Sequence, residues 1–268
     1  MSTLVCFHAH PDDEAIQTGG LMAKASAAGH RVVLVCATRG EQGEPQEGVL
    51  NDDEQLWQRR MDELDTSCQI LGADEPRWLG YEDSGMEGEP TNDNPACFWQ
   101  ADVDDATERL AAILREVDAG TLTIYDNHGG YGHPDHIQVH RVGWAAAKAC
   151  GLDNVFEATI NRDGIEALME ASAAAAEARG EEPEGPGVDR STFGTPSADI
   201  AYQVDVSSHV DKKKDAMMAH RSQIGPDGFF LQMPDDFFTM AFGAEWFNVP
   251  GITGTGGPTE VELLPGLD

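Results

Sequence analysis

An apolar run, Leu4-Val5-Cys6-Phe7, ends abruptly in His8-Ala9-His10-Pro11-Asp12-Asp13-Glu14, a cluster of two imidazoles and three carboxylates. Ala15, Ile16, Leu21, Met22 and Ala25 then recur at helical spacing. A buried strand that hands over to a helix through a polar cluster constrains the chain to an open α/β sheet, where ligands sit beyond the carboxyl ends of the strands. Helix capping and dipole complementation account for the carboxylates and for Pro11 at the first turn. They give no use for the histidines.

A His and an Asp three residues apart can turn onto one metal ion, with a third ligand supplied from elsewhere in the fold. The chain offers one matching stretch, Gly129-Gly130-Tyr131-Gly132-His133-Pro134-Asp135-His136. It too follows an apolar run, Leu122-Thr123-Ile124-Tyr125, and precedes a helical pattern. Two strand ends thus carry the same chemistry.

The 268 residues fit one α/β domain. No stretch approaches the roughly 20 apolar residues that cross a bilayer, and the start lacks a basic, signal-like segment, so a cytoplasmic location is expected. Cys6, Cys36, Cys68, Cys97 and Cys150 are odd in number and lack CxxC spacing, which fits buried free thiols. A formal charge of -31, from 48 acidic and 17 basic residues, disfavours nucleic acid and anionic membrane as partners.

Strands are expected at residues 31 to 37, 77 to 81, 155 to 160 and 200 to 206, and helices at residues 53 to 71, 102 to 118, 163 to 179 and 210 to 222. Residues 38 to 43 read as a glycine-bearing loop at the carboxyl end of the second strand, with Glu41 and Glu44 near the polar cluster. Residues 82 to 100 read as a long binding loop or lid, and residues 180 to 196 as an exposed insertion rich in Gly, Pro and Glu. Lys212-Lys213-Lys214 reads as a solvated face. Residues from 253 onward carry no readable pattern.

The pair His10-Pro11-Asp12-Asp13-Glu14 and His133-Pro134-Asp135-His136 resembles the LmbE/PIG-L family of metal-dependent N-acetylglucosaminyl deacetylases. The text at residues 38 to 44, Asp83-Ser84-Gly85-Met86, and Ala219-His220-Arg221-Ser222-Gln223 with Pro226-Asp227-Gly228 resembles its mycothiol branch. That resemblance implies a Rossmann-like α/β domain over residues 1 to 268, with a mostly parallel sheet and helices on both faces. It implies one Zn2+ per chain, or Fe2+ or another divalent ion, on His10, Asp13 and His136. Asp12 would be the general base. His133, oriented by Asp135, would serve as acid and oxyanion partner, and Tyr131 would add a hydrogen bond. Glu44, Arg60, Asp83, Met86 and His220 would meet substrate, while His8, His128 and His140 are left to local hydrogen bonds or to support of the ligands.

The implied reaction is removal of the N-acetyl group from a GlcNAc-bearing small molecule such as a GlcNAc-inositol. Gln17 departs from both branches, and the text at residues 226 to 230 leans toward a mycothiol S-conjugate amidase, so that alternative stays open. A non-catalytic metal- or sugar-binding member would have lost Asp12, His133 or Tyr131. A metal-dependent phosphatase would need a second carboxylate-rich metal site and a basic phosphate clamp, and the candidate pocket shows only Arg60 and Arg39 as basic residues. Trimers or hexamers occur among relatives, and nothing in the sequence selects a homo-oligomer.

Overall fold

Alternation along β1 (Thr3–His8) sets the layering: Leu4 and Cys6 join one apolar cluster, and Val5 and Phe7 join a second on the opposite face. β2 (Arg31–Cys36) divides the same way, with Val32, Leu34 and Cys36 on one side and Val33 and Val35 on the other. Strands buried on both faces read as continuous apolar runs, which is why both were visible in sequence. The computed structural model describes residues 1–179, 193–228, 230–254 and 256–267.

In chain order, β1 is followed by α1 (Asp13–Gln17), α2 (Gly19–Ala27), β2, α3 (Leu56–Leu71), β3 (Arg77–Trp78), α4 (Val103–Glu116) and β4 (Thr121–Tyr125). Next come α5 (Gly129–Gly132), α6 (Pro134–Cys150), β5 (Val155–Thr159), α7 (Arg162–Arg179), β6 (Tyr202–Asp205) and α8 (Val210–Ala219). The described chain closes with α9 (Asp235–Phe242), β7 (Ala244–Asn248) and β8 (Thr259–Val261). Local chemistry sets several of the ends. Asp102 caps α4 by accepting from the amides of Asp104 and Asp105, at 2.9 and 3.1 Å. Gly72 stops α3 at a φ of 76°, a left-handed cap that glycine adopts without strain.

The described strands form one sheet in the order β3-β2-β1-β4-β5-β7-β6-β8. The first five are parallel, and β7 runs antiparallel to both β5 and β6. Chain order reverses direction between β1 and β4, and that switch point opens a crevice at the strands' carboxyl ends. α2, α3 and α8 cover one face, while α4 and α6 cover the other. No helix of the described residues is long and apolar enough to cross a membrane.

Three sequence expectations need correction. Beyond residue 253 the chain adds β8, parallel to β6, and buries Leu264 and Leu267. Its isolated apolar residues carry no period because only a three-residue strand is made. Residues 180–192 lie outside the described residues, but Gly194 and Thr195 of the expected exposed insertion are buried, and the Gly194 amide donates to the Gly130 carbonyl at 2.9 Å. Lys213, placed on a solvated face, is 1% exposed and pairs with Glu245 at 2.6 Å.

Candidate metal centre

β1 and β4 deliver the two motifs to the same sheet edge. In the first, Asp13 opens α1, and its Oδ2 accepts the His10 amide at 2.8 Å, closing a tight loop. In the second, Pro134 starts α6, where its missing amide proton leaves no donor unsatisfied, and His136 sits in the first turn.

Asp13 Oδ2 lies 3.3 Å from His10 Nδ1 and 3.3 Å from His136 Nε2. The protons can be assigned from the other contacts. His136 Nδ1 faces the Gly129 carbonyl at 3.2 Å and so must donate there, leaving Nε2 as a bare lone pair with no hydrogen-bond partner among the described residues. On His10, Nε2 faces Asp135 Oδ2 at 3.2 Å and Asp83 Oδ1 at 3.3 Å, so a proton belongs on Nε2, while Nδ1, which faces Asp13, offers its lone pair when a cation replaces the proton there. Two imidazole lone pairs and a carboxylate therefore converge in a buried space. Such a donor set repels itself unless a cation sits in it, so these residues fit a divalent metal ion.

His133 also has a ligand atom within 4.8 Å of those of His10 and His136, and His10, Asp83 and Asp135 form a second cluster of that kind. The second cluster uses the protonated side of His10. Its carboxylates already accept the Ser84 amide at 2.9 Å and the Gly85 amide at 2.8 Å. It reads as the support that orients His10.

Asp12 is the strained residue of the site, with φ at 104° and ψ at -30°, a conformation that costs a non-glycine residue on the order of 1–3 kcal/mol. Burial pushes its carboxyl up to about 6 despite the nearby Arg60 guanidinium. Burial together with His10 and His136 drives His133 down to about 2, so its ring is neutral. His133 Nδ1 accepts the Asp135 amide at 3.2 Å, which leaves the proton on Nε2. Asp135 thus orients His133 through its backbone, and its carboxylate serves His10 instead.

The other expected site residues divide by burial. Tyr131 stands at the rim, 41% exposed, with its ring edge-on to His136 at 5.0 Å, and Met86 is 50% exposed on the loop that follows Asp83. Glu44 is exposed on the loop after β2. Asp83 is buried against His10. Arg60 is buried under the loops, donating to the carbonyls of Gly40 and Pro11 and, at 3.2 Å, to Asp12 Oδ2. His220 is fully buried, with Nε2 2.6 Å from Glu14 Oε1.

Sequence reasoning did not single out Tyr125, which stacks on His136 with ring centroids 4.3 Å apart and hydrogen-bonds His8 at 2.8 Å. It also passed over a buried polar stripe on α3: Glu63 accepts the amide and hydroxyl of Ser222, and Ser67 donates to Glu14 at 2.5 Å. The signal was present in the spacing, since residues 60, 63 and 67 share one helix face.

Residues 5–147 match the PIG-L family, described as GlcNAc-PI de-N-acetylase. The 1D-myo-inositol 2-acetamido-2-deoxy-alpha-D-glucopyranoside deacetylase of Acidothermus cellulolyticus is 39% identical over 285 residues, spanning 99% of this chain and 95% of that one. The chain belongs to the PIG-L family. A second PIG-L relative of the same name, from Thermobifida fusca, is 38% identical over 92% of each chain. Among solved structures, the N,N'-diacetylchitobiose deacetylase of Pyrococcus horikoshii shares the fold with a TM-score of 0.58 and 22% identity, covering 93% of this chain and 84% of that one.

Proposed function

We propose that this PIG-L protein is a metal-dependent amide hydrolase that removes the N-acetyl group from a small GlcNAc-bearing molecule, with a GlcNAc-inositol as the first candidate. The observation that carries the reading is the convergence of His10 Nδ1, Asp13 Oδ2 and His136 Nε2 beside the strained Asp12. Near-full-length relatives named as GlcNAc-inositol deacetylases support the choice of substrate class. Two imidazoles and a carboxylate suit Zn2+, and Fe2+ or another divalent ion is compatible with the same donors. The five unpaired cysteines fit a cytoplasmic setting.

When bound, a divalent ion supplies an acidified water and a Lewis acid for the amide carbonyl. Asp12, a neighbour of that position and not a member of the ligand set, takes the proton from the attacking water. His133 begins neutral with its proton on Nε2, so it serves first as a hydrogen-bond donor to the developing oxyanion. The proton that Asp12 has taken then goes to the departing amine, while His133, whose Nδ1 is occupied by the Asp135 amide, keeps its Nε2 proton on the oxyanion. Tyr131, at the rim, adds a further donor.

Purified protein stripped of metal and reloaded with single ions should release acetate from GlcNAc-inositol. Cleavage of a mycothiol S-conjugate without acetate release would move the assignment to the amidase reading, toward which the text at residues 226 to 230 leans. Loss of neither bond with any divalent ion would end both.

A further inference from the structure

Glu14, the last residue of the first motif, has no role in the chemistry above, yet it is fully buried and its carboxylate is saturated. Oε1 receives Ser67 Oγ at 2.5 Å and His220 Nε2 at 2.6 Å, and Oε2 receives the Asp12 amide at 3.0 Å. The other end of that same peptide unit, the Pro11 carbonyl, receives Arg60 Nη2, which also reaches Asp12 Oδ2 at 3.2 Å.

The Pro11–Asp12 peptide plane is therefore gripped at both its N–H and its C=O. Its orientation fixes φ of Asp12, the one torsion that is strained here. An unfavourable torsion persists only where the surroundings over-determine it. Each jaw is itself anchored. Arg60 Nη1 donates to the Gly40 carbonyl at 2.8 Å, and a Cβ on Gly40 would collide with the Arg60 guanidinium. Ser67, on α3 with Arg60, and His220, just past α8, hold Glu14 from the opposite side.

We infer that Glu14 and Arg60 form a peptide clamp, a pair of positioning residues that hold the Asp12 carboxylate in its strained working orientation. The inference rests on the assignment of Asp12 as base. It gives Arg60 a task different from the substrate contact that family resemblance implies.

The test compares Glu14→Ala, Glu14→Gln and Arg60→Lys, each alone and in an Asp12→Ala background, loaded with Co2+. A misplacement of the base on the order of 1 Å lowers kcat by about a hundredfold. The clamp therefore requires that loss in Glu14→Ala and Arg60→Lys, with KM within about threefold of wild type because uniform binding is untouched, and with an unchanged Co2+ affinity and absorption spectrum. Glu14→Gln, whose amide oxygen still accepts the Asp12 N–H, should recover most of the loss. In the Asp12→Ala background neither change should lower kcat further, since groups acting through one residue are non-additive.

A raised KM with kcat intact, or full additivity with Asp12→Ala, overturns the clamp. If Glu14→Ala does not fold, Arg60→Lys and Glu14→Gln decide between the same two outcomes. If the wild type turns over neither substrate, the function reading falls and exchange of the Asp12 amide decides the clamp. Protection in wild type that weakens in Arg60→Lys supports it, and equal exchange in both refutes it.

Discussion

Asp135 turns its carboxylate away from the adjacent His133 and onto His10, placing Oδ2 3.2 Å from the His10 Nε2. This contact selects the tautomer that leaves His10 Nδ1 free to bind a cation. Partners of that kind are typically worth about 10–100-fold in metal affinity. Asp135→Asn should weaken Zn2+ or Co2+ binding by that amount in calorimetric titration. Retention of wild-type affinity would return the carboxylate to a purely local role.

Asp12 and His133 stand beside the converging donors without belonging to the three-atom set at Asp13. Asp12→Ala and His133→Ala should each lose about 10²–10⁴-fold in kcat, the usual contribution of general acid–base groups. Both should keep one equivalent of metal by elemental analysis. Undiminished turnover in Asp12→Ala would remove it as the base.

Glu245 closes the amino end of α2, accepting the amides of Gly20 and Leu21 at 2.8 Å each while it pairs with buried Lys213 at 2.6 Å. Removing one member of a buried pair strands the other charge, which costs about 3–5 kcal/mol. Glu245→Ala should lower unfolding free energy in urea by that much. Lys213→Met should cost less than Glu245→Ala, because the two α2 amides keep their acceptor. An exposed-lysine reading predicts no change in Lys213→Met.

His8 bridges Tyr125 Oη and Thr18 Oγ1 at 2.8 Å each, and burial lowers its pKa to about 4 from 6.5. The neutral ring is favoured in the folded chain, so its contribution is complete above pH ~6.5. Between that value and about 4 the unfolded chain takes up a proton that the folded chain refuses, and roughly 3 kcal/mol is lost as pH falls. On metal-free protein, the stability gap between wild type and His8→Gln should narrow across this window. A gap independent of pH would contradict it.

The parallel core and both motifs were legible because β1 and β2 are nearly unbroken apolar runs, β4 and β5 are short β-rich stretches buried along their whole length, and the motifs abut β1 and β4. The antiparallel extension was harder to read. β7 alternates between buried and half-buried residues, and β8 has no fully buried residue, so neither has the apolar run of a core strand. Lys213 was misread because a lysine carries the same letter in water and against a buried carboxylate; only Glu245, from a distant strand, makes the difference. The supporting network of Glu14, Ser67, Glu63 and Ser222 joins residues up to 159 positions apart, and no local periodicity reports a partner that far away.

The five thiols are unequal. Cys6, Cys36, Cys68 and Cys97 are buried, and burial raises the pKa of each, whereas Cys150 at the end of α6 is partly open. A maleimide dye offered to the folded protein therefore attaches first at Cys150. The native sequence thus supplies a single reporter position, at the far end of the helix that the second motif opens, for following ion uptake and substrate arrival by fluorescence without an engineered cysteine.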